Sequence, residues 1–128
     1  MEYVDLNNED VGILNIAYLG DAVWSLYIRQ LLYNKGLSLK KLNNIVEQYV
    51  NAKYQSKIYG EIWDMLSENE KKIAKRAENG NIKHYPKSCT MKEYRESTGF
   101  EALIAYLYLN KPSKINDIID IIREKEGI

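Results

Sequence analysis

Asp21 and Glu101 are the side chains of this sequence best placed to do chemistry. Each is the only formally charged residue in a long stretch of apolar, aromatic or small residues, Asp21 between Val11 and Ile28 and Glu101 between Ser97 and Asn110. An unpaired carboxylate in such a setting costs several kcal/mol, so it must find a cation, take up a proton or face a wet cleft. One divalent metal shared by both would satisfy the two together. Hard cations such as magnesium take oxygen ligands, often one or two carboxylates with water and substrate phosphate. For either acid alone, a helix-cap partner or a buried ion pair is the competing reading. The small neighbours Gly20, Ala22 and Ala102 leave room for a substrate.

Other chemistries find fewer of their parts. A serine or cysteine nucleophile needs a positioned base, and the only histidine, His84, lies five residues before the only cysteine, Cys89. One cysteine cannot form an internal disulfide, and one Cys with one His cannot assemble a zinc cluster. Gly20 and Gly36 stand alone in helical contexts, with no Walker-type loop or dinucleotide fingerprint, so no nucleotide cofactor is expected.

Helices must position these acids. Apolar residues recur at helical spacing and alternating runs are scarce, which predicts an all-α fold of about six to seven helices in one domain over residues 1–128. The first helix is expected from Glu9 to Asn34, stopping at Lys35-Gly36, where glycine can take a left-handed cap conformation. Ser38 would cap a helix from Leu39 to Tyr49. The next, Asn51 to Met65, would turn Tyr54, Ile58, Ile62 and Met65 toward the core. Ser67-Glu68-Asn69-Glu70 has the spacing of a capping box and opens a helix to Glu78. A fifth helix is expected from Lys92 to Leu109, and a last one runs from the Lys111-Pro112-Ser113 break to Glu126. Trp24 is expected in the core or at a dimer interface, and most of the eleven tyrosines in ordinary packing.

Composition is that of a soluble globular chain, 45% hydrophobic and 28% charged. Met1 to Asp10 carries four acids and no Lys or Arg, the wrong charge for a secretory or mitochondrial signal. Val11 to Ile28 approaches membrane-spanning length, but Asp21, Asn15 and Gly20 within it make a buried soluble helix the better reading. With the lone cysteine, these features fit a reducing cytoplasm. Net charge is zero, yet Lys71 to Arg95 holds eight basic residues against Glu78 and Glu93, about +6 locally. Inside it, the polar run Asn79 to Cys89 reads as a presented loop, and long loops are commonly functional.

Leu14-Asn15-Ile16-Ala17-Tyr18-Leu19-Gly20-Asp21-Ala22-Val23 resembles the signature helix of ribonuclease III, and Phe100-Glu101-Ala102-Leu103-Ile104 resembles that family's second acidic motif. Asn51-Ala52-Lys53 followed by Gln55, Pro86-Lys87, and Tyr94-Arg95 followed by Ser97-Thr98-Gly99 resemble the short Mini-III branch, which lacks a double-stranded-RNA-binding domain. The similarity covers nearly the whole chain. It implies a ribonuclease III fold and a symmetric homodimer with two sites flanking a duplex RNA groove, each cutting one strand. It further implies magnesium-dependent hydrolysis, with manganese as substitute, leaving 5'-phosphate and 3'-hydroxyl ends. For this branch the implied role is trimming precursor 23S ribosomal RNA.

Two departures stand out. Where longer members carry further acids, this chain has Ala17 and Thr98, so metal coordination rests on Asp21 and Glu101, with water and RNA phosphate oxygens completing the shell. Where Mini-III sequences commonly show Arg-Gly-Arg-Asn, this chain has Arg76-Ala77-Glu78-Asn79, and Glu78 is expected to weaken or redirect RNA contacts. Candidate RNA contacts are Lys53, Arg76, Lys83, Lys87 and Arg95, with His84 and Tyr85 in the same loop; cations lining a groove suffice for an A-form duplex read by shape and phosphates. The competing readings are a helix-surface lysine for Lys53 and a salt bridge for Arg95. Rival functions are a non-catalytic ribonuclease III-fold RNA-binding module associated with ribosome assembly, and a helical interaction protein in which both acids are structural.

Overall fold

The computed structural model of the chain describes residues 12–82 and 84–128. Six α-helices follow one another: α1 (Ile13–Leu32), α2 (Leu39–Val50), α3 (Ala52–Ile62), α4 (Glu68–Glu78), α5 (Met91–Asn110) and α6 (Ser113–Glu126). A single 3₁₀ turn, Trp63–Met65, follows α3, and no strand occurs among the described residues. None of these helices is long and apolar enough to cross a membrane. The expected start of the first helix, Glu9 to Val11, lies outside the described residues.

Local signals set the helix ends. The Ser67 hydroxyl accepts from Glu70 N–H while the Glu70 carboxylate accepts from Ser67 N–H, the reciprocal box expected from the sequence. Thr90 and Glu93 form a second box, which starts α5 at Met91, one residue earlier than expected. Gly36 has the left-handed conformation anticipated for it, with φ +77°.

Asn51 does not belong to a helix, as the sequence reading had it, but joins two. Its side-chain oxygen accepts from Tyr54 N–H at 2.8 Å and its amide donates to Glu47 O at 2.9 Å, closing α2 and opening α3. The tightening at Trp63–Met65 breaks the helical period. Ile58 and Ile62 are buried as expected, but Met65 rotates to the surface, and Gln55 and Tyr59 complete the inward face instead.

α5 is the central helix, packed against α1, α3, α4 and α6. It is apolar nearly all round because every side meets protein, with Ser97 to Phe100, Ala102 to Ala105 and Leu107 buried. Trp24 of α1 is fully buried and meets Phe100 edge-to-face at 4.8 Å, an arrangement that adds about 1 kcal/mol beyond its buried area. Its indole N–H donates to Tyr49 O at 2.8 Å, which settles Trp24 as core. Ile115, Ile118, Ile119 and Ile122 form the buried stripe of α6. A buried ion pair from Lys114 to Glu70 ties its first turn to that of α4.

The tightest packing lies between α1 and α5. A Cβ placed on Gly20 would come within 1.6 Å of the Glu101 carbonyl oxygen and 2.5 Å of its carbon, so the two backbones touch where any side chain would intervene. Ala17, Ala102 and Ala105 flank the contact, all buried. Gly20→Ala is expected to force the helices apart and to destabilise the fold by about 3 kcal/mol, measured by denaturant unfolding. An unchanged midpoint would show that the contact is slack.

Candidate active site

The contact at Gly20 fixes the site. Asp21 is the next residue on α1 and Glu101 is the residue whose backbone Gly20 touches, so their carboxyl groups come within hydrogen-bonding reach of each other. Asp21 is exposed and Glu101 is half-buried. Burial first, then the hydrogen bond to Asp21 and its negative charge, push the Glu101 carboxyl up to about 9 from an ordinary 4.5. At neutral pH and without a cation, the pair therefore shares one proton, with Glu101 O–H donating to the Asp21 carboxylate. Two oxygen-donor groups held against each other at such a cost fit a divalent cation, which would replace that proton. No third His, Cys, Asp or Glu joins them among the described residues.

Both acids line an open cleft of about 460 Å³. Ala17 and Thr98 line it too, at the places where longer relatives of this fold are expected to carry acids. Thr98 spends its O–H on Tyr94 O at 2.9 Å, leaving only oxygen lone pairs for the cleft. The opposite wall comes from the segment after α4, with Asn81, Ile82 and His84, while Leu14 and Tyr18 of α1 and Tyr94 of α5 line the cleft from the helices that carry the acids. His84 was a secondary RNA candidate in the sequence reading, yet it is the loop candidate that shares a cleft with the acids. Asn81, Tyr18 and Tyr94 were not singled out. Tyr18 stands three residues before Asp21 and is 82% exposed, an exception to the expectation that most tyrosines serve packing. The spacing to Asp21 was the available signal.

Arg95 holds that wall in place. Its guanidinium donates to Glu78 O at 2.8 Å and to Gly80 O at 3.3 Å, satisfying carbonyls that the end of α4 leaves open. These acceptors are backbone carbonyls, a structural role that was not among the readings weighed from the sequence. Glu78 is also placed differently from expectation. Its carboxylate turns inward, accepts from the Tyr59 hydroxyl and pairs with Lys75 at 3.2 Å, with only 14% of its side chain exposed. Gly99 makes room, since a Cβ there would lie 2.9 Å from Glu78 Cγ. The acid is thus absorbed by the fold and does not confront phosphate.

Among the described residues, none of the other candidate cations lines the cleft with the acids. Lys53 and Lys87 are exposed, and Lys53 lines a separate shallow cleft with Glu93. Arg76 is half-buried, and Lys83 lies outside the described residues. Tyr85 is 44% exposed, with its ring 6.4 Å from that of Tyr94.

The shared proton has a sign that unfolding can read. Glu101 is neutral in the folded chain up to about pH 9 and ionised in the unfolded chain above about 4.5. The folded state binds the extra proton in that window, so this contribution is fully present below pH 4.5 and is lost as pH rises through 9. Glu101→Gln removes the titration. In chelator, its melting temperature relative to the parent chain is expected to be roughly 15 °C more favourable at pH 8 than at pH 5. Parallel pH profiles would exclude the shared proton.

Comparison with known proteins agrees with this geometry. The ribonuclease III domain model matches residues 14–112. A Mini-ribonuclease 3-like protein of Ilyobacter polytropus is 49% identical over 107 residues, 84% of each chain. One from Fusobacterium nucleatum subsp. nucleatum is 45% identical over 98% of this chain and 100% of its own. A Mini-ribonuclease 3 of Thermoanaerobacter sp. is 43% identical over 75% of this chain and 68% of that protein. A crystal structure of a Fusobacterium nucleatum protein, 44% identical, superposes with a TM-score of 0.89 over 95% of this chain and 99% of that one. With both acidic motifs inside the matched domain, the chain belongs to the ribonuclease III family and is an endoribonuclease of its Mini-ribonuclease 3 kind.

Proposed function

We propose that this endoribonuclease cleaves double-stranded RNA by divalent-metal-assisted phosphodiester hydrolysis, with magnesium as the ion and manganese as its substitute. The observation that carries the reading is the carboxyl pair at the cleft, held at an energetic cost that a cation would remove. Asp21 and Glu101 would hold the ion. When bound, it supplies charge neutralisation at the scissile phosphate and a lowered pKa for water, leaving 5'-phosphate and 3'-hydroxyl ends. Asn81 and His84 offer hydrogen bonds to the phosphodiester from the opposite wall, and Arg95 keeps that wall in register. Lys53, Arg76, Lys83 and Lys87 supply positive charge for a duplex read through its backbone.

A symmetric homodimer supports duplex cutting, one strand per site. Tyr18, Leu26 and Tyr33 are 82%, 56% and 66% exposed on α1, and with exposed Ala22 they form one helical stripe that a second copy would cover. The natural substrate in this reading is precursor 23S ribosomal RNA in the cytoplasm.

Long duplex RNA incubated with the protein and magnesium should be fragmented. Asp21→Asn and Glu101→Gln should each slow cutting at least about a hundredfold while RNA binding persists. Normal cutting by both variants would overturn the assignment. RNA bound by the parent chain but left intact in magnesium and in manganese would establish the non-catalytic RNA-binding module instead.

A further inference from the structure

Trp63 occupies the 3₁₀ turn between α3 and α4, half-buried against the core. Its ring forms part of a groove of about 460 Å³ with Glu68, Asn69, Lys71, Lys72 and Lys75. This groove shares no residue with the cleft that holds Asp21 and Glu101. The Lys71 and Lys75 ammonium groups sit over the indole, 5.4 and 5.0 Å from the ring centroid. The one acid lining the groove, Glu68, is 95% exposed and 4.0 Å from Lys71, a pairing that solvent screens. Lys75 is paired with Glu78 at 3.2 Å, so the groove keeps a net positive charge through Lys71 and Lys72 against the solvent-screened Glu68.

A polyanion fits the charge, and the indole narrows the choice. Bases in a duplex are stacked on one another and cannot reach a protein ring, whereas an unpaired base can stack on tryptophan while its phosphates meet lysines. An exposed cation–π contact is weaker than base–aromatic stacking, so a base can displace the ammonium groups, and that of Lys71 then turns to phosphate. Trp63 is braced for this. Its ring packs edge-to-face on Tyr59 at 5.5 Å, and the Tyr59 hydroxyl donates to Glu78, whose carbonyl Arg95 holds. α4 runs from the groove toward the cleft wall, Lys71 to Glu78 being roughly 10 Å along it, and Asn81 follows three residues later.

We propose that the Trp63 groove binds an unpaired RNA segment flanking the duplex held in the cleft, with a base on the indole and phosphates on Lys71 and Lys72. The inference rests on the reading of the cleft as a duplex-RNA cutting site, but its binding test does not need cutting.

The chain has two tryptophans, and Trp24 is fully buried, so fluorescence quenching by an added oligonucleotide reports on Trp63. In chelator, a single-stranded oligoadenylate should quench the protein saturably. By anisotropy of the labelled oligonucleotide, Trp63→Leu should bind roughly tenfold more weakly. The surface double substitution Lys71→Gln with Lys72→Gln, which leaves the core intact, should weaken binding and lower its salt dependence. Both variants should cut blunt duplex at the parent rate and lose any advantage that an unpaired tail gives the parent chain. Absence of quenching, or parent-like oligonucleotide binding by the lysine variant, would overturn the proposal. Equal quenching by polyglutamate would overturn it in favour of an acidic protein partner. Failure of the parent chain to cut blunt duplex would count against the cleavage reading alone.

Discussion

The contact between Gly20 and the Glu101 peptide is the constraint on which the rest depends. Two helices normally stand 8–10 Å apart, separated by the side chains between them. Here one position has no side chain, and the added Cβ of any other residue would fall 1.6 Å from a carbonyl oxygen. The close approach costs little dispersion energy because small residues flank it. Its chemical consequence is large: residues adjacent to the contact on each helix cannot avoid one another, and both are carboxylic acids. The glycine thus sets the separation of the acids, and the neighbouring Asp21 adds to burial in raising the proton affinity of Glu101.

The far wall of the cleft is built by a different device. Arg95 anchors the carbonyls of Glu78 and Gly80, at the end of α4 and just after it, from α5, the same helix that carries Glu101. Glu78, Tyr59, Lys75 and Gly99 then form a small polar cluster that fixes the end of α4 from the other side. Both walls of the cleft are therefore referred to α5. A central helix packed against four others is a suitable frame for a site whose two halves must keep one distance.

Much of this was legible in the sequence, and the reason is locality. The Ser67 box, the Gly36 turn and the two apolar helices with their lone acids are each encoded within a few residues, so pattern alone located them. What eluded the pattern depends on residues distant in the chain. Glu78 reads as part of a basic loop until Tyr59 and Gly99, 19 and 21 residues away in sequence, are seen to take its carboxylate inward. Arg95 has the type expected of an RNA contact, and only the fold shows carbonyls within its reach. The 3₁₀ turn at Trp63 shifts the helical period without a proline or glycine to announce it, so Met65 was placed in the core. Asp21 and Glu101 were found by the cost of their isolation, and the fold brings the two together in one cleft.

The central claim is that these two acids hold one proton that a divalent cation displaces. Calorimetric titration of magnesium into the protein at pH 7.5, repeated in buffers of differing ionisation enthalpy, counts protons released per ion bound. The account expects close to one per site for the parent chain and close to none for Glu101→Gln. Magnesium binding by the parent chain with no proton released would contradict it.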